Sequence, residues 1–101
     1  LRWSGRPVAV DCAGAARVVD NLTSNLLKYA DPGEPVRLSP LEREGFAGVR
    51  VTNGLRPSGG GAESSGVGLA SAERLMERMG GRLEQRTAGA EFQVTLLFRY
   101  M

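Results

Sequence analysis

The sequence predicts an α+β fold, a two-layer α/β sandwich in which a mixed, mostly antiparallel sheet packs against helices. Two long stretches, Ala16 to Ala30 and Gly66 to Met79, space their apolar residues as amphipathic helices do. Four short runs alternate with a period of two, and they come in pairs closed by glycine-containing turns, which marks two hairpins. Element order completes the argument: strand, helix, hairpin, flexible loop, helix, hairpin, a sequence that one sheet covered by a helical layer accommodates.

Taken in order, Pro7 to Val10 (PVAV) is a β-branched run that reads as a first strand, with Leu1 to Trp3 as its possible beginning. Asp11 is placed to cap the helix that follows. That helix runs from about Gly14 to Ala30 and stops at Asp31-Pro32-Gly33, a strong turn signal. Placing its residues at about 100° per step gathers Arg17, Asn21, Asn25 and Lys28 into one polar stripe. Val18, Leu22, Leu26 and Tyr29 fill the adjoining quadrant, with Ala15 and Val19 beyond. Asn is a poor helix former because its side chain competes for the backbone, so two of them in mid-helix point to a working surface rather than a solvated one. Pro35 to Ser39 and Gly48 to Thr52 form the first hairpin across a polar turn at Glu42 to Gly45. From Asn53 to Ser65 four glycines and a proline, with no periodic apolar face, predict a mobile loop or lid. The second helix ends at Gly80-Gly81, and Arg82 to Thr87 and Glu91 to Phe98, joined by Ala88-Gly89-Ala90, close the chain.

Length and composition narrow the function. With 101 residues, 42% hydrophobic and 24% charged, residues 1–101 form a single globular domain. A net charge of +2 with scattered basic residues argues against nucleic acid as a partner. No run of apolar residues reaches membrane-spanning length and no signal peptide is evident, so no direct membrane contact is expected. One cysteine, Cys12, excludes an internal disulfide and fits a cytoplasmic location. There is no histidine, which rules out Ser-His or Cys-His catalysis and histidine-based zinc sites within these residues. The first residue is not Met, and the chain is expected to be cut from something larger.

The motif NLTSNLLKYA, Asn21 to Ala30, resembles the N box (NLxxNAxKY) of the ATP-binding domains of sensor histidine kinases, members of the wider Bergerat-fold family that includes gyrase, a heat-shock chaperone and mismatch-repair ATPases. Leu26 stands where that family prefers Ala. SSGVGLASAERLMERMGG resembles the family's second glycine box with its following helix, and VTNGL occupies the place of the first, DxGxG, with Asn53 at the Asp position and Gly54 one residue early. The resemblance implies that Asn25 binds the Mg2+ bridging the phosphates of ATP, that Lys28 neutralises phosphate charge, and that Tyr29 lies near the base or ribose. It places Asn21 on the same nucleotide face and gives Gly66, Val67, Gly68 and Leu69 a phosphate-binding role. By the same resemblance Asn53 accepts a hydrogen bond from the adenine amino group. The chemistry suits these types: magnesium takes neutral carbonyl oxygens when phosphates supply the charge, glycines let phosphates approach the backbone, and an open helix N-terminus faces an anion.

The function so implied is a protein-histidine kinase catalytic domain, monomeric in isolation, that presents the γ-phosphate of Mg-ATP to a histidine on a separate dimerisation domain, with a response regulator downstream. The receptor carrying it is expected to be cytoplasmic or to hold this domain as the cytoplasmic portion of a membrane-anchored chain. Two alternatives stand beside it. An anti-sigma-type serine kinase or an ATP hydrolase shares the fold, although Asn21 argues against hydrolysis, because the family's ATPases place there a Glu that activates water and Asn cannot take that proton. The altered first glycine box and short lid fit a degenerate nucleotide-binding or protein-interaction module.

Overall fold

The computed structural model describes residues 7, 8, 10–56 and 61–101, with 61–68 described by their backbone alone. Helix α1 spans Cys12–Tyr29, strands β1 and β2 span Arg37–Arg43 and Phe46–Gly54, helix α2 spans Gly61–Arg78, and β3 and β4 span Arg82–Ala88 and Glu91–Arg99. The strands form one sheet in the order β1-β2-β4-β3, and all three pairings are antiparallel. The expected two-layer α+β architecture is therefore present, and among the described residues the sheet pairings are all antiparallel.

Helix α1 starts where its cap permits. Asp11 has extended backbone and its carboxylate accepts from the Gly14 N–H at 2.8 Å, which satisfies one of the orphan donors of the first turn. At the other end Ala30 is extended, its N–H donating to the Leu26 carbonyl, and the Gly33 N–H donates to the Asp31 side chain at 2.9 Å in a turn of the Asx type. Of the expected strand at Pro7 to Val10, Ala9 lies outside the described residues, and Pro7, Val8 and Val10 belong to none of the four strands. Val8 makes a lone antiparallel bridge to Tyr100, and the Pro7 carbonyl accepts from the Met101 N–H at 3.2 Å. Pro7 has no N–H to give to a ladder, and Asp11 is already committed to the helix. Leu1 to Trp3 lie outside the described residues.

The hairpins close as their glycines dictate. Gly45 (φ 84°) and Gly89 (φ 61°) each sit in a two-residue turn in a conformation that L side chains rarely adopt. Glu42 and Arg43, expected in the turn, belong to β1. The core lies between the layers: Leu69, Ala72 and Met76 of α2 are wholly buried against Val18 and Leu22 of α1 and Leu83, Phe92, Val94 and Leu96 of the sheet. Burying side chains of this size contributes about 1.5–3 kcal/mol each.

Helix α2 begins at Gly61, not at Gly66, and β2 runs on to Gly54, so the expected Asn53–Ser65 loop is cut from both sides to residues 55–60. Ala62 and Glu63 are good helix formers, and a helix that buries Leu69, Ala72 and Met76 tolerates two interior glycines at about 1 kcal/mol each. Residues 57–60, the centre of that loop, are outside the described residues.

Candidate functional site

The polar stripe of α1 does not stay on the surface. Arg17 and Lys28 are exposed and Asn21 is half-buried, but Asn25 is 8% exposed. Asn25 makes no hydrogen bond to another described residue, yet no side-chain nitrogen or oxygen among the described residues is sealed from solvent without a partner. Its amide therefore sits in a nearly closed setting with its polar atoms still reachable, the condition in which an amide oxygen gains most from a ligand. The apolar quadrant behaves largely as expected, with Val18 and Leu22 buried and Leu26 and Tyr29 half-buried. Val19 departs from it and is exposed.

Asn53 is the second buried amide, at 4% exposure, on the helix-facing side of β2 opposite Phe92. Its Nδ2 donates to the Gly54 carbonyl at 2.9 Å. Because only the NH2 group can serve a carbonyl acceptor, this bond fixes the amide's orientation and leaves Oδ1 as an acceptor. Asn53 also lines a cleft of about 480 Å³, with Asp31, Glu34, Pro35, Arg37 and Leu55 among its walls. Asp31, Glu34 and Glu91 make that cleft acidic, and its one cation among the described residues, Arg37, is bonded to Glu91 at 2.7 Å. Such a cleft suits a neutral, hydrogen-bonding group and not phosphates.

The expected site residues are thus only partly assembled by the described cavities. Asn53 borders the acidic cleft, whereas Asn21 lines a separate groove of about 360 Å³ between α1 and α2 with Arg17, Asp20, Ser71 and Leu75. Asn25, Lys28 and Tyr29 line neither of these. Gly66, Val67 and Gly68 lie within α2 and not in a turn before it, so the open N–H groups at that helix start belong to the turn beginning at Gly61. Leu69 is 0% exposed, and its side chain packs the core instead of meeting a ligand.

One residue that sequence reasoning missed ties the region together. Arg56 donates from Nε to the Ala30 carbonyl (3.1 Å) and from Nη2 to the Leu27 carbonyl (3.1 Å), and its backbone N–H donates to the Tyr29 carbonyl (3.1 Å). The last carbonyls of a helix lack partners and carry partial negative charge, so a guanidinium there is favourable twice over. The same junction holds the Asp31 N–H on the Gly54 carbonyl and the Leu55 N–H on the Ala90 carbonyl, both at 2.8 Å. The end of the N-box-like helix and the strand end bearing Asn53 are accordingly fixed to one another. No periodicity or motif marks Arg56; its only signal is a cation placed just after a strand.

Two helices layered on a four-stranded antiparallel sheet define the class of fold to which the chain belongs. Among solved structures it is shared by the histidine kinase AdeS of Acinetobacter baumannii, which matches with a TM-score of 0.72 at 16% identity over 93% of this chain and 49% of that one, a likeness of fold. In sequence the chain is homologous to part of the sensor histidine kinase YrkQ of Bacillus subtilis (strain 168), with 32% identity over 91 residues covering 90% of this chain. It spans about a fifth, 21%, of the length of that relative. No family model matches the sequence.

Proposed function

We infer that this chain is the ATP-binding catalytic domain of a sensor histidine kinase, of the Bergerat fold, positioning Mg-ATP so that a histidine on a separate dimerisation domain attacks the γ-phosphate. The observation that carries the reading is the pair of buried amides, Asn25 at the position of the N-box asparagine and Asn53 at the position where the family's first glycine box has an Asp. Asn25 would supply an oxygen to Mg2+, Asn53 Oδ1 would accept from the adenine amino group, and Lys28 would meet phosphate as a point charge. Phosphoryl transfer asks for positioning and charge neutralisation and little covalent chemistry from the protein, which fits a site built of amides and one lysine. ATP would supply the electrophilic γ-phosphorus, and the accepting histidine and its base would come from outside these residues, which hold no histidine. A response regulator would take the phosphoryl group next. No helix among the described residues is long and apolar enough to cross a membrane, which accords with a domain that works beside one or away from it.

One observation favours the second reading, a degenerate module: among the described residues, the acidic walls of the cleft at Asn53 offer no unpaired cation to a nucleotide. Calorimetry of the chain with ATP, with and without Mg2+, separates the two. Saturable, magnesium-dependent heat supports the kinase domain, and its absence at millimolar nucleotide supports the module.

A further inference from the structure

The face of the sheet turned away from the helices carries a charge pattern independent of the nucleotide reading. Side chains alternate along each strand, and Val49, Val51, Val94 and Leu96 enter or pack on the core. The register therefore places Arg37, Arg43, Arg50, Arg82, Arg86 and Arg99 together on the opposite face, with Glu84 and Glu91 as its acids. Six arginines against two glutamates leave a surplus of four positive charges there, on a chain whose 13 basic and 11 acidic residues give +2, so everything else is net negative.

Both glutamates are already engaged, Glu91 by Arg37 at 2.7 Å and Glu84 by Arg43 at 2.9 Å. The second pair joins the first strand of the sheet to the last, a width of about 14 Å for strands ~4.8 Å apart. Extended Arg and Glu side chains just span it, so that pair lies down across the face. Arg50 is held by Thr95 (Nε to Oγ1, 3.2 Å) and Arg82 lies over the Phe46 ring at 5.2 Å. Arg50, Arg82, Arg86 and Arg99 form no ion pair with another described residue.

We propose that this face docks an acidic protein segment, a run of Asp and Glu side chains presented by a partner. Arginine forks match carboxylates bidentately, and each carboxylate the face already holds takes a charge-assisted contact from one guanidinium nitrogen. A nucleic-acid-binding sheet offers free aromatic rings for bases to stack on, whereas Phe46 is covered by Arg82. A membrane-binding surface adds protruding apolar groups to its cations; the exposed leucine of the strands, Leu38, pairs with Val51 and so belongs to the other face.

The test is fluorescence anisotropy of a labelled Glu-rich peptide titrated with the 101-residue chain at low salt. Expected are saturable binding that weakens steeply with salt, and a loss of about tenfold or more in affinity for R86E/R99E, whose positions are exposed. Arg74→Glu, on the exposed side of α2, should leave binding unchanged. R86Q/R99Q, a milder pair, should show an intermediate loss, and it stands in if the charge-reversed protein fails to give a native circular dichroism spectrum. Equal affinity for wild type and the double variants, no peptide binding, or tighter binding of single-stranded DNA or of phosphatidylglycerol vesicles than of the peptide would each overturn the proposal.

Discussion

At the scale of single residues, the two buried asparagines behave differently because Asn53 has a protein partner and Asn25 has none among the described residues. Asn53 spends its NH2 group on the Gly54 carbonyl. Asn53→Asp replaces that donor with a charged acceptor beside another acceptor, so a loss of about 1–3 kcal/mol in stability is expected in urea titrations. In the proposed site the same carboxylate binds the adenine amino group more strongly, by ~0.5–2 kcal/mol, and calorimetry should show ATP tightening while GTP, whose six-position oxygen it repels, does not. Unchanged ATP affinity would remove Asn53 from the site. Arg56 is legible only in three dimensions. Arg56→Ala removes two side-chain bonds to the end of α1 and should cost about 1 kcal/mol in urea unfolding, with Arg56→Lys recovering part of it through the helix dipole.

At the scale of elements, the sheet rests on glycines with different reasons for being there. A Cβ at Gly48 would fall 1.7 Å from the Leu96 carbonyl oxygen, a backbone atom that cannot step aside, whereas at Gly45 it would meet nothing and only the positive φ objects. Gly48→Ala is therefore expected to lower the unfolding free energy severely, by more than about 3 kcal/mol in urea titrations, and Gly45→Ala by about 1 kcal/mol. Comparable losses would show that β2 and β4 are not packed this closely. The hairpins were legible in the sequence because alternation and glycine turns are local signals, and α1 was legible because Asp11 and Asp31-Pro32-Gly33 bracket it. The start of α2 was not. Gly66 and Gly68 look like a helix entry, and the burial of Leu69, Ala72 and Met76 that carries the helix through them is a tertiary effect. Sheet order was equally hidden, since β4 lies between β2 and β3 through contacts remote in sequence.

At the scale of the whole molecule, the N-box-like stripe was readable from residues 17–28, but its bending into the interior at Asn25 depends on the neighbouring helix and sheet. That burial supports a ligand role for Asn25, because a nearly buried amide with no partner among the described residues keeps its oxygen available to a bound ion. Asn25→Ala removes no hydrogen bond to another described residue, so its thermal unfolding should stay close to that of the wild type. The most direct test is calorimetric titration of both proteins with ATP in the presence and absence of Mg2+. Wild type is expected to bind ATP more tightly with magnesium, and Asn25→Ala, still folded, to lose this magnesium dependence; no binding by wild type at millimolar ATP, or the same magnesium dependence in both proteins, would contradict a metal-binding role for Asn25.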